Sequence, residues 1–174
     1  RIDDLRHLLN LHPELIEEKV KPEQDMQFFE LSASQLSVRL SYIEYTPLLF
    51  AASMGRTEIC RILLDEYNAN INAITIYGYN AAMEAARHLT DENLELSAEL
   101  LQRKDINLKH KTYGQYDAMG AFFKNPNIKY ASIPDKSNVS LQAIEKYIKT
   151  LLKLGFYINN PQGKTKETHF LLAR

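Results

Sequence analysis

The sequence predicts an all-α fold in which short helix–turn–helix units are stacked in series. Three observations support this class: one clear unit at residues 46–64, degraded copies of it later in the chain, and a recurring pattern of Leu-Leu, Ile-Asn and glycine. Helical units this short cannot bury their own apolar side chains. Their stability therefore has to come from stacking on neighbouring units.

The clearest unit has the features that begin and end helices. Thr46 suits the N-cap of a first helix, and Pro47 suits its first turn, where the missing N–H costs nothing. Gly55 separates this helix from a second one. Cys60 falls inside the second helix, and we interpret it as a small buried hydrophobe in preference to a nucleophile.

The unit recurs in degraded form at Asn80–Ala86, Asp117–Phe123 and Thr168–Ala173. These copies begin 34, 37 and 51 residues after the preceding one, so the last interval indicates an insertion. The end of each unit recurs as well, as a Leu-Leu pair, then an Ile-Asn pair, then a glycine. In the first unit these are residues 63/64, 71/72 and Gly78, and in the second they are 100/101, 106/107 and Gly114. In the third they are 151/152, 158/159 and Gly163.

Residues 46–64 resemble the ankyrin repeat, because they contain that family's characteristic residues in the same order: Thr-Pro, Ala-Ala, Gly, Glu-Ile and Leu-Leu. The family signature is T-P-L-H-x-A with a period of about 33 residues, and Leu49 replaces the histidine. The resemblance implies an ankyrin-repeat solenoid of stacked antiparallel helix pairs with β-hairpin fingers, and a glycine at each finger tip. It divides the chain into a degenerate N-terminal repeat with an extended hairpin (1–45), repeats at 46–79, 80–116 and 117–167, and the start of a further truncated repeat (168–174).

Two segments depart from the repeat. Leu36, Val38, Leu40 and Tyr42 alternate with polar residues, and Phe28, Phe29 and Leu31 suit a partner strand. This pattern predicts a long β-hairpin over residues 27–45; the alternative is an irregular loop that happens to alternate. Residues 124–139 form a polar inserted loop, and such loops are either functional or disordered. Ser140 then suits the N-cap of a helix that ends at Gly155.

Composition limits the classes of function. With 21 basic and 22 acidic residues the net charge is −1, which argues against a general nucleic-acid binder, although the Lys109–Lys111 and Lys164–Lys166 patches leave local binding open. No apolar run suits a membrane span and no signal peptide opens the chain. The single cysteine excludes an internal disulfide and predicts a reducing, cytoplasmic environment. Because the chain begins and ends inside predicted helices, we expect it to be a fragment.

No pattern in the sequence predicts catalysis. The five histidines are not spaced as metal ligands, and neither a nucleophile elbow nor a phosphate-binding glycine loop is present. We therefore expect no enzymatic activity, no cofactor and no metal within these residues.

The ankyrin resemblance implies instead that the finger residues and the exposed end of each first helix bind another protein. Carried over position by position, the binding residues are Ile43 and Tyr45 before the first unit, Ser53, Met54, Arg87 and His88 at helix ends, Ile76, Tyr77 and Tyr79 on one finger, and Thr112, Tyr113, Gln115 and Tyr116 on the next. Tyrosine is enriched at interfaces. The alternative is that some of these rings pack from finger to finger and only stabilise the stack.

Two functions stay open at this point. The chain is either a protein-binding scaffold or a targeting domain attached to an enzyme outside these residues. Its richness in Asn, Ile, Lys and Tyr also resembles ankyrin proteins that intracellular bacteria deliver into host cells. In that case the chain would act inside the host.

Overall fold

The N-terminal end of the stack consists of helix α1 (Ile2–Leu11) and a 3₁₀ helix (Pro13–Glu17). The computed structural model describes residues 2–21, 42–126, 128 and 139–158. Most of the predicted 27–45 hairpin and of the 124–139 loop, and all of the truncated repeat at 168–174, lie outside these residues.

Three antiparallel helix pairs follow. They are α2 (Pro47–Ser53) with α3 (Thr57–Asp65), α4 (Ala81–Ala86) with α5 (Asp91–Leu101), and α6 (Ala118–Phe123) with α7 (Leu141–Lys153). The first helices pack in series, α2 on α4 and α4 on α6, and the 3₁₀ helix packs on α2. This arrangement confirms the predicted all-α solenoid of helix pairs.

Each first helix begins at a polar side chain that accepts a backbone N–H from three residues further on. The three caps are Thr46 with the Leu49 N–H (3.4 Å), Asn80 with the Met83 N–H (3.0 Å) and Asp117 with the Gly120 N–H (2.8 Å). All three residue types are good N-caps. The degraded copies therefore lack the Thr-Pro pair of the motif but keep an N-cap residue for the first helix.

The Asn of the Ile-Asn pair joins successive repeats. The Asn72 side-chain amide donates to the Asp105 carbonyl (2.8 Å), and its oxygen accepts the Asn107 N–H (2.8 Å). The Asn72 side chain thus satisfies two main-chain groups of the next repeat.

A buried polar chain attaches the last helix pair to the one before it. The Ser97 hydroxyl donates to the Ala82 carbonyl (2.7 Å) and lies 2.8 Å from the Tyr147 hydroxyl. Because the Ser97 hydroxyl has one hydrogen, Tyr147 is the donor in the second bond. Burial raises the pKa of Tyr147, so the phenol stays protonated in this position.

Cys60 is completely buried in α3, as the sequence predicts. Burial, with a smaller effect of the Glu99 charge, raises the pKa of its thiol to about 12. Only the thiolate is nucleophilic, so we expect a thiol reagent at pH 8 to label the folded protein far more slowly than the protein in denaturant. Equal labelling rates in the two conditions would contradict the burial of this side chain.

The finger between α3 and α4 is a hairpin with a three-residue loop. The Thr75 N–H donates to the Tyr79 carbonyl, and the Gly78 N–H donates to the Thr75 carbonyl, both at 2.9 Å. Gly78 has φ +81°, the left-handed conformation that ends such a loop. An isolated antiparallel bridge joins Ile74 to Asn80 at the base of the finger.

The next finger repeats this hydrogen-bonding pattern but corrects the predicted position of its glycine. Thr112 pairs with Tyr116 as Thr75 does with Tyr79, and Gln115 occupies the left-handed position with φ +68°. Gly114 lies one residue earlier, without a positive φ. In this finger a glutamine therefore takes a conformation that favours glycine.

Replacing Gln115 by glycine should stabilise the protein. The left-handed conformation costs a non-glycine residue about 1–2 kcal/mol, and the extra flexibility of glycine in the unfolded chain returns part of this, so we expect a gain of about 0.5–1 kcal/mol in the free energy of unfolding. Denaturant unfolding measures it. Gln102→Gly is the matched control, because Gln102 has φ −91° and should show only a loss. A loss at both positions would contradict the strain at Gln115.

Candidate protein-binding site

Two adjacent depressions lie between the fingers and the C-terminal ends of α4 and α6. The first, of about 370 Å³, is lined mainly by aromatic residues of the two fingers, and the second, of about 340 Å³, is lined by residues at the two helix ends. Both include Tyr79 and Arg87 in their walls. The two depressions therefore form one continuous surface, which we call the groove.

Tyr77 and Tyr113 stand at the aromatic end of the groove, where they expose 56% and 60% of their surface. The Tyr113 N–H donates to the Tyr77 carbonyl (3.2 Å), so the two fingers are joined by their main chains. Ile76 is exposed beside them, and Tyr79 and Tyr116 are half-buried in the wall. This end presents a broad apolar surface with phenol hydroxyls at its edge.

Arg87 occupies the centre of the groove and is held from two sides. Its Nη1 atom donates to both carboxylate oxygens of the buried Glu84 (2.9 and 3.0 Å), and its guanidinium lies 4.9 Å from the centre of the Tyr79 ring. Burial opposes the charged form, but the Glu84 carboxylate outweighs it and the pKa of Arg87 is raised. The cation is thus fixed in position and permanently charged.

His88 and Lys124 complete the basic end. Burial is the main cause that lowers the pKa of His88, so the ring is mostly neutral at pH 7. The Lys124 ammonium lies 5.7 Å from the centre of the Tyr116 ring. No ion pair involves Lys124 within the described ranges.

Lys124 is a groove residue that the sequence analysis missed, because it was placed in the inserted loop. The repeat register could have found it, since it follows Asp117 by seven residues, as Arg87 follows Asn80. Phe50 lies outside the groove lining. It is exposed on α2 and contacts the Tyr42 ring edge to face, with 5.1 Å between centres.

Three of the predicted binding residues are buried, and their assignment is corrected. Tyr45 is 2% exposed and packs edge-on against Tyr42; Ser53 is 2% exposed and donates its hydroxyl to the Phe50 carbonyl (2.8 Å). Thr112 is also 2% exposed, and its hydroxyl accepts the Tyr116 N–H (3.2 Å). Tyr45 and Ser53 line neither depression, and Thr112 lines the first depression but exposes almost none of its surface there.

The other predicted residues reach the surface to different degrees. Ile76, Tyr77, Tyr79, Arg87, His88, Tyr113 and Tyr116 line the groove. Gln115 is exposed next to it, Met54 is exposed at the end of α2, and Ile43 is half-buried in the turn before α2.

Comparison with known families identifies the repeat to which these helix pairs and fingers correspond. A model described as ankyrin repeats (3 copies) matches residues 13–111. The chain belongs to the ankyrin repeat family. The matched residues end before α6, so the pair formed by α6 and α7 is assigned to the ankyrin stack from its packing on α4 and α5.

Solved structures support the same fold. One similar chain comes from a structure of Bd0816, a predatory endopeptidase from Bdellovibrio bacteriovorus, in complex with the immunity protein Bd3460. The TM-score is 0.52 at 23% identity, and the alignment covers 74% of this ankyrin chain and 56% of that chain. The ankyrin chain thus spans little more than half the length of that relative, and the similarity concerns the fold alone. A search of curated proteins gave no match.

Within the part of the chain that the structure describes, no group of three or more His, Cys, Asp or Glu side chains is placed to hold a metal ion. Among its helices, none combines the length and apolar character needed to cross a bilayer.

Proposed function

We propose that this ankyrin domain is a protein-binding module that takes a segment of its partner in the groove. The observation that carries the proposal is the exposure of Tyr77 and Tyr113 on adjacent fingers, more than half of each residue in both cases. Large aromatic side chains grouped on an open surface are typical of interaction sites.

The two rings are better suited to binding than to holding the stack together. The fingers are already joined by the main-chain bond from Tyr113 to Tyr77, by the bond between the His110 ring and the Gly78 carbonyl (2.7 Å), and at their base by the Asn72 amide. None of these contacts uses a tyrosine side chain. Because these exposed rings are not needed for stability, a partner can bury them on binding.

The experiment is capture of partners from lysate by the chain, followed by affinity measurement on the protein captured. We expect the Tyr77→Ala/Tyr113→Ala double variant to bind roughly a hundredfold or more weakly, because central aromatic anchors commonly contribute about 2 kcal/mol each. Tyr157→Ala is the matched control, since Tyr157 is 61% exposed but lies beyond α7, away from the groove.

Thermal unfolding of the same variants separates binding from stability. The double variant should unfold within a few degrees of the parent. Unchanged affinity in the double variant, or an equal loss in Tyr157→Ala, would contradict binding in the groove.

We further propose that the module acts as a scaffold in the cytoplasm, without catalysis of its own. The free, fully buried Cys60 is ordinary for a reducing compartment. Ankyrin domains bind through surfaces like the groove, which supports a role in placing one protein beside another.

A further inference from the structure

The basic end of the groove is unbalanced in charge. Arg87 and Lys124 bring two cations to the second depression, beside the mostly neutral His88, and among the described residues no acidic side chain lines either depression. Glu84 lies beneath the surface, 1% exposed, and compensates Arg87 from inside the protein. The surface that this end presents to a partner is therefore positively charged.

Arg87 still has hydrogen-bond donors to offer. Both of its bonds to Glu84 use Nη1, and within the described residues no protein partner is found for Nη2 or Nε. The Glu84 carboxylate and the Tyr79 ring hold the guanidinium in place, so little side-chain entropy would be lost when these donors bind an anion.

Lys124 brings a second cation to the same depression. Its ammonium is exposed and interacts only with the Tyr116 ring among the contacts seen in the described ranges. Two cations beside one opening, one fixed and one mobile on its stem, suit the two oxygens of a carboxylate.

We propose that the partner segment is acidic: one of its carboxylates binds at Arg87 and Lys124, while a neighbouring aromatic or aliphatic side chain packs between Tyr77 and Tyr113. This inference rests on the proposed function of the groove. A nucleic acid fits less well, because its backbone needs an extended series of cations, whereas this cationic site is local and borders an aromatic surface.

The test uses a library of random linear peptides displayed on phage, selected on the whole chain. We expect the selected peptides to share an acidic residue close to an aromatic or aliphatic one. Synthetic copies are then measured by fluorescence anisotropy in three forms: unchanged, with Glu and Asp replaced by Gln and Asn, and with the C-terminus amidated. The second and third forms distinguish a side-chain carboxylate from a terminal one, and one of them should weaken binding about tenfold.

The protein variants are chosen to keep the fold. Lys124→Glu should weaken binding about tenfold or more, because it places a like charge beside the carboxylate, and added salt should weaken binding to the parent. Lys104→Glu is the matched control, since Lys104 is exposed and lines neither depression. Arg87 is left unchanged, because its removal would leave Glu84 buried without its cation.

Three results would overturn the inference in distinguishable ways. Peptides that need Tyr77 and Tyr113 but are indifferent to Lys124→Glu and to loss of their own carboxylates would overturn the acidic partner and leave the proposed function standing. Peptides indifferent to the tyrosines as well, or a selection without any groove binder, would overturn both. Tighter binding of a single-stranded oligonucleotide than of any peptide, lost in Lys124→Glu, would also overturn it.

Discussion

Tyr45→Ala is expected to lower the free energy of unfolding by about 3–5 kcal/mol, as for other large buried side chains cut back to alanine. Tyr45 is 2% exposed, and its ring packs edge-on against Tyr42 with 5.1 Å between centres. Burial, and then the charge of the Glu84 carboxylate, raise the pKa of this phenol. The substitution removes the ring from the core and leaves a cavity there.

The companion variant Tyr45→Phe separates the contribution of the ring from that of the hydroxyl. It keeps the ring and loses only the hydroxyl, so a loss of about 1–2 kcal/mol is expected in denaturant unfolding. Tyr77→Ala should change stability by no more than about 0.5 kcal/mol, because that ring is mostly exposed. If Tyr45→Ala unfolds like the parent, Tyr45 is not part of the core and its original assignment to the binding surface stands.

Gly78→Ala is the second substitution with a large expected effect, a loss of about 2–4 kcal/mol. The residue has φ +81°, and a Cβ at this position would lie 2.7 Å from the Tyr113 backbone nitrogen. That nitrogen donates the bond that joins the fingers. The alanine therefore combines an unfavourable backbone conformation with separation of the two sides of the groove.

Gly155→Ala isolates the backbone effect. Gly155 has φ +88°, but nothing lies within 4 Å of an added Cβ. We expect a loss of only about 1 kcal/mol there, from the left-handed conformation alone. Equal losses at the two glycines would show that the close approach of the fingers contributes nothing to stability, and a smaller loss at Gly78 would contradict the finger geometry.

The elements that depend on local chemistry could be predicted from the sequence. Thr46 and Ser140 were predicted as N-caps because each is a polar residue before an apolar helix. Their side chains accept the backbone N–H groups of Leu49 and Ala143. Cys60 is buried because it lies on the apolar face of α3 with Leu63 and Leu64, three and four residues further on. In each case the deciding interaction lies within one helical turn or one repeat.

The errors arose where distant residues decide the structure. Tyr45 was assigned to the surface, but it is buried, and the charge of Glu84 in the next repeat acts on its hydroxyl. Gly114 was expected to take the positive φ of the finger turn, whereas the register of the Thr112–Tyr116 hydrogen bond places Gln115 in that position. No sequence pattern predicts either interaction. The 27–45 hairpin and the 124–139 loop remain predictions over their residues outside the structure.

Amide hydrogen exchange of the chain with and without its captured partner tests the central claim most directly. Binding in the groove predicts slower exchange on partner addition at the two fingers, residues 75–79 and 112–116, and at Arg87 and His88 after α4. The outer helices α3, α5 and α7 should exchange as before. Protection confined to those outer helices, with the fingers unchanged, would contradict the account.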